Sequence, residues 1–168
     1  MAPALMKEFG LGNPMKVPSL RKVVVNMGTG LVEKNVLESS VKNLAAITGQ
    51  QPVVTRAKKS ISNFKVREGM NVGVKVTLRR AVMYEFLDRL INFALPRIRD
   101  FRGIPPDCFD GRGNCTVGLT DMDIFPEIDP NQVVARQGMD VAIVVNADSD
   151  EMSRALLKGL GMPFAEKK

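Results

Sequence analysis

The chain has 168 residues, 45% hydrophobic and 25% charged, with 24 Lys and Arg against 18 Asp and Glu, two cysteines and no histidine or tryptophan. That length suffices for one well-cored domain, while the missing histidine removes the commonest general base and metal ligand, and Cys108 and Cys115, separated by six residues with no other Cys or His to join them, support neither a disulfide framework nor a zinc site. No apolar run approaches the roughly 18 residues of a membrane span, and the opening MAPALMKEFG lacks a secretory pattern, so a cytoplasmic protein with no membrane partner, no metal and no cofactor is expected.

Residues 1–12 form at most a short helix, because Gly10, Gly12 and Pro14 stop it. Residues 21–27, RKVVVNM, are rich in β-branched side chains and run into Gly28 and Gly30, a strand followed by a glycine turn; three consecutive valines point to burial on both faces. Asn35 with Glu38 three positions on is a helix-start pattern, and Val36, Leu37, Val41, Leu44, Ala45 and Ile47 keep helical spacing until Gly49. Residues 51–55 carry Pro52, which suits the beginning of a strand or an edge strand. Residues 64–66 and 72–78 read as strands, the second setting Val72, Val74, Val76 and Leu78 against Lys75, Thr77 and Arg79 on the opposite face.

Met83, Phe86, Leu87, Leu90, Ile91, Ala94 and Leu95 line a second helix that Pro96 terminates, a stripe read as core. Residues 97–128 are rich in loops and include the DGRGN turn at 110–114. Residues 139–146 form an apolar strand, and Asp148 with Glu151 caps a last helix carrying Met152, Leu156, Leu157 and Leu160. This order predicts an α+β fold, a largely antiparallel mixed sheet with helices packed on one face, as a single domain over 1–168.

Charge is unevenly distributed along the chain. Residues 1–116 hold 19 basic against 9 acidic side chains, residues 117–152 one against eight, and residues 153–168 four against one. Two faces for two kinds of partner follow, one polyanionic and one basic, since a field of one sign steers partners of the other. Within the basic part, residues 56–67 read RAKKSISNFKVR: five cations, no acid, short polar groups and a single aromatic ring. Lys and Arg neutralise phosphates, and Phe64 offers a face on which a base can stack, so RNA is the first ligand to consider. The plainer alternative is a solvated hairpin.

Two catalytic readings are weak. The turn NMGTG lacks the third glycine of a dinucleotide fingerprint, Glu33 standing there, and no Gly-Lys-Ser/Thr follows. Asp121 with Asp123, or Glu127 with Asp129, would supply an acid and a base, but carboxylates in an acidic loop are ordinarily solvated charges.

Five longer stretches then carry a resemblance: VPSLRKVVVNMGTG, LAAITGQQPVVTRAKKSISNFKVREGMNVGVKVTLR, MYEFLDRLINFALPRIRDFRG, FDGRGN with IFPEID, and SDEMSRALLKGLGMPF. In family order and over nearly the whole chain they resemble ribosomal protein five of the large subunit, the universal binder of 5S ribosomal RNA. The resemblance implies no catalytic activity, a place in the central protuberance of the large subunit, and contact with 5S RNA through Asn26, Gln50, Phe64 and Thr77. Amides meet base edges, a hydroxyl meets a ribose 2′-OH, and a phenyl ring stacks or packs on sugar. Arg56, Lys58, Lys59, Lys65, Arg67, Lys75, Arg79 and Arg80 would add phosphate affinity.

The resemblance further implies that the hairpin at 56–73 reaches toward P-site tRNA with its tip, Ser60, Ile61, Ser62 and Asn63. It implies that the acidic region 116–151 meets small-subunit protein thirteen across an intersubunit bridge, and that 23S RNA and neighbouring 5S-associated proteins lie close by. The sequence departs from the family pattern at its start, where residues 1–18 make a short N-terminal extension, and at Cys115, where the family more often has tyrosine.

Overall fold

The computed structural model describes residues 2–31, 34–128 and 135–165. Its centre is β1 (Ser19–Gly28), which pairs antiparallel with β3 (Asn71–Leu78) on one side and β5 (Met139–Asn146) on the other. The edges are β2 (Val53–Arg56) beside β3 and β4 (Cys115–Leu119) beside β5, giving the order β2-β3-β1-β5-β4 with all four pairings antiparallel. Among the described residues four α-helices accompany the sheet: α1 (Ala2–Glu8), α2 (Lys34–Thr48), α3 (Arg80–Arg89) and α4 (Asp150–Gly159).

Strand periodicity explains why one face is covered. Val23, Val25 and Met27 of β1 are buried, as are Val74, Val76 and Leu78 of β3, Val117 and Leu119 of β4, and Val141, Ile143 and Val145 of β5. They share one core with Leu37, Leu44 and Ile47 of α2, Met83, Phe86 and Leu87 of α3, and Leu156 and Leu157 of α4. Each such side chain contributes roughly 1.5–3 kcal/mol through its burial. Phe86 anchors the centre, its ring stacked on Phe125 with centroids 6.1 Å apart. Val24, by contrast, is half-exposed. The expectation that the three valines bury both faces therefore fails: an antiparallel sheet needs cover on only one side, and no described helix lies over the other.

Other boundaries differ for local reasons. Residues 64–66 do not form a strand; Ser62–Phe64 is a 3-10 turn, Lys65 takes a left-handed conformation at φ 53, and Val66 meets Ile61 in an isolated antiparallel bridge. Asn35 lies inside α2, one residue past its first, instead of ahead of it. The last helix is capped by Ser149, whose hydroxyl accepts from the Met152 amide, and not by Asp148. The stripe on α3 stays buried through Leu90, Ala94 and Leu95, but the helix loosens there into a π turn (Leu90–Ala94) and a 3-10 turn (Leu95–Arg97) that holds Pro96.

Gly73 is required by a close approach. A Cβ built there would lie 2.7 Å from the Met27 carbonyl oxygen and 3.1 Å from Thr55 Oγ1, whereas one at its register partner Gly28 would meet nothing within 4 Å. Gly73→Ala is expected to destabilise the chain by about 1–3 kcal/mol, because β1 and β3 must separate. Gly28→Ala stays within about 0.5 kcal/mol of the parent. Equal urea midpoints for the two variants would refute this close packing.

Candidate nucleic-acid interface

The uncovered face of the sheet collects residues far apart in sequence. Asn26 of β1 lies opposite Lys75 of β3 and Asp140 of β5, and Lys75 is in turn opposite Val53 of β2, so one row across the sheet reads Val53, Lys75, Asn26, Asp140, Gly118. The next row reads Thr77, Val24, Ala142, Thr116. Antiparallel pairing with period-two side chains sets this arrangement: Asn26 and Thr77 point outward because Val25, Met27, Val76 and Leu78 point inward. These rows hold small or short side chains apart from Lys75, so the surface is low, with polar groups set among small apolar ones.

Gln50 is exposed just past α2, after Gly49 turns the chain at φ 69. The Thr48 hydroxyl holds that turn, donating to the Leu44 carbonyl at 2.7 Å and accepting from the Gln50 amide at 3.4 Å, and exposed Gln50 stands three residues ahead of Val53. Asn26, Lys75 and Thr77 are thus brought together on one face, and Gln50 leads into the edge strand beside them.

The hairpin between β2 and β3 carries the rest. It is internally bonded: the Ala57 amide donates to the Met70 carbonyl at 2.8 Å, Ile61 to Val66 at 2.9 Å, and the Glu68 amide to Ser60 Oγ at 2.9 Å. Arg56, Lys58, Lys59, Lys65 and Arg67 are all exposed, as are Ser60, Ile61, Ser62 and Asn63 at its tip. Phe64 is 71% exposed, an unusual setting for a phenyl ring among cations. Arg79 and Arg80 are exposed where β3 gives way to α3. Arg80 sits at φ 56 and brings a cation to a helix N-terminus, two unfavourable choices costing about 1 kcal/mol each.

Among the described residues the ion pairs are Lys34 with Glu38, Arg89 with Glu127, and Arg136 with Asp123, none of which takes a cation from the hairpin or the open face. The acidic part of the sequence is less uniform than its count. Asp150 accepts from the Gly111 and Gly113 amides at 3.1 and 2.6 Å, and Glu127 and Asp123 are tied to arginines, so these carboxylates serve the fold. Asp140, Asp148 and Glu151 are exposed.

The glycine-turn reading loses its geometry. The Thr29 and Gly30 amides both donate to the Val72 carbonyl, at 3.2 and 3.1 Å, so the glycine turn spends on β3 the donors a phosphate would need. Glu33 and Asp129 lie outside the described residues. A cleft of 620 Å³ is lined by Arg97, Arg99, Asp121, Asp123 and Arg136 with apolar neighbours, and none of the predicted RNA residues borders it. No described helix is long and apolar enough to cross a membrane, and the described residues hold no cluster of three or more His, Cys, Asp or Glu able to bind a metal.

Comparison with known families is decisive. Residues 13–67 match the pattern described as Ribosomal protein L5, and residues 71–164 match that of the ribosomal L5P family C-terminus. The chain belongs to the ribosomal L5 family. It is 56% identical over 168 residues to the large ribosomal subunit protein uL5 of Caldanaerobacter subterraneus subsp. tengcongensis, covering 99% of this chain and 94% of that one. It is 60% identical over 164 residues to the protein of the same name from Synechocystis, covering 96% and 91%. The family is one of ribosomal proteins and not of enzymes.

Asp140 is the member of the open face that sequence reasoning missed. Alternation in residues 139–146 turns it outward, but only the register of β5 on β1 reveals Asn26 as its neighbour. A carboxylate beside the predicted reader disfavours a phosphate there and leaves room for a base amino group, which donates.

Proposed function

We propose that this chain is a constituent of the cytoplasmic large ribosomal subunit that binds 5S RNA on the open face of its sheet. The observation that carries the reading is the gathering of Asn26, Lys75 and Thr77 on one uncovered, low surface flanked by the exposed cations of the hairpin and of Arg79 and Arg80. Asn26 donates to and accepts from base edges, Thr77 meets a ribose hydroxyl, Gln50 extends the contact past the edge strand, and Phe64 stacks or packs on sugar. The surrounding Lys and Arg side chains hold phosphates without reading sequence.

On the same reading the hairpin tip faces P-site tRNA, 23S RNA and the other 5S-associated proteins lie around the central protuberance, and Asp148 and Glu151 belong to the side that meets small-subunit protein thirteen. The whole chain acts as one domain.

The phosphate part is tested by salt. Lys58→Gln and Lys59→Gln should each reduce the slope of log K against log salt for 5S RNA binding by roughly 0.7–0.9 for every phosphate that the lysine had neutralised. An unchanged slope in both variants would mean that these lysines face solvent or another partner.

A further inference from the structure

The turn FDGRGN is bracketed by Cys108, which closes the 3-10 turn Pro106–Cys108, and Cys115, which opens β4. Its two flanks run side by side: Phe109 pairs with Cys115 in an antiparallel bridge, and the Asp110 amide donates to the Asn114 carbonyl at 3.1 Å. Carboxylates hold the loop between them. Asp110 accepts from the Arg112 and Asn114 amides at 2.9 and 3.0 Å and from the Asn114 side chain at 2.7 Å, and Asp150 of α4 accepts from the Gly111 and Gly113 amides. Gly113 is packed so closely that a Cβ there would lie 2.7 Å from Ser153 Oγ.

The consequence is a fixed apposition of two thiols. Cys108 and Cys115 are both free cysteines, and their sulfurs stand 2.7 Å apart. Cys115 is buried under the sheet, and Cys108 is half-exposed at the surface. The described residues bring no third ligand to them, so the pair does not form a metal site. Sequence spacing alone argued against a disulfide framework; the fold supplies what spacing lacked, by folding the six intervening residues into a tight bonded turn.

We propose that Cys108 and Cys115 form a modification site, a dithiol that a peroxide converts into an intramolecular disulfide. The sulfur of Cys108, the less buried of the two residues, attacks one peroxide oxygen; the O–O bond breaks, Cys108 becomes a sulfenic acid and the other oxygen leaves as water. The Cys115 sulfur then attacks Cys108 Sγ, the S–S bond forms as the S–O bond breaks, and the hydroxyl leaves as a second water with the Cys115 proton. Two thiols and one hydrogen peroxide give one disulfide and two waters. Burial raises the pKa of both thiols, Cys115 far more than Cys108, so little thiolate is present near neutrality and the first step is slow unless peroxide is in excess. The product would pin the turn, and through Asp150 its contact with α4.

The test uses the full chain, oxidised with excess hydrogen peroxide, quenched, and alkylated under denaturing conditions before intact-mass and peptide analysis. Both thiols should be lost together, a linked Cys108–Cys115 peptide should appear whatever oxygen exposed methionines such as Met15 and Met70 take up as sulfoxides, and dithiothreitol should restore two alkylation sites. Cys108→Ser, a change at a half-exposed position, should leave Cys115 alkylatable after the same treatment. The proposal is overturned by sulfinic or sulfonic acid on Cys108, by a link between two chains on a non-reducing gel, by two thiols that survive excess peroxide, or by a disulfide that forms only when peroxide is added in urea.

Discussion

Asn26→Ala and Thr77→Ala are each expected to weaken binding of 5S RNA by about 1–3 kcal/mol, the cost of one well-placed polar contact. Both side chains point off the uncovered face of the sheet, from the central strand and its neighbour, while the core residues alternating with them stay buried. Removing either leaves the core intact, so urea midpoints should hardly move. A filter-binding titration at fixed salt, repeated at several salt concentrations, separates the effects: lower affinity with an unchanged salt slope marks a missing base or sugar interaction, since neither residue carries charge. Equal affinities for the parent and both variants would remove these two residues from the interface.

The second large effect lies in the core beneath that face. Phe86 is completely buried, stacks on Phe125, and belongs to the cluster that joins α3 to the inner faces of the strands. Phe86→Ala should cost about 3–5 kcal/mol of stability, the sum of lost burial and the cavity left behind. Its partner Phe125 sits in a loop held by a short 3-10 turn (Met122–Ile124), whose capacity to close the cavity is limited by the buried Met122 beside it. Chemical denaturation checks the value. A loss below about 1 kcal/mol would mean that the site collapses freely, contrary to the close packing that protein cores show.

Much of the architecture was legible because burial imposes a period. Residues 139–146 are an apolar run whose predicted and observed strand bounds coincide, and the stripe from Met83 to Leu95 marked the core side of α3. Where several short polar groups compete, the sequence was a poorer guide. Asp148, Ser149 and Asp150 are all plausible caps, and the competition is resolved by the DGRGN turn, which claims the Asp150 carboxylate and leaves Ser149 to cap α4. At the hairpin tip, Phe64 and Val66 have strand-forming side chains, yet Lys65 between them turns left-handed and Phe64 ends a 3-10 turn.

The site was legible in part. Alternation alone grouped Lys75, Thr77 and Arg79 away from the valines, but the pairing of β1 between β3 and β5 is a long-range fact, and Asn26 and Asp140 are neighbours only through it. The glycine turn after β1 shows the opposite limit: its composition permits a phosphate loop, and only the two amides bonded to Val72 reveal otherwise. Charge counting could not tell which carboxylates of the acidic region are engaged within the fold, as Asp123, Glu127 and Asp150 are. As for RNA, the basic stretch by itself favoured a solvated hairpin; the resemblance along the whole chain, and not the charges, reversed that reading.

The central claim, that RNA meets the uncovered face and the hairpin instead of the helical side, is tested most directly by lysine footprinting with and without 5S RNA. Lys75 on the open face and Lys65 on the hairpin are exposed in the free chain, as are Lys42 on α2 and Lys158 on α4. Acetylation followed by mass spectrometry should show Lys75 and Lys65 protected in the complex and Lys42 and Lys158 labelled as before. Protection of Lys42 and Lys158 with Lys75 and Lys65 unchanged would contradict the account.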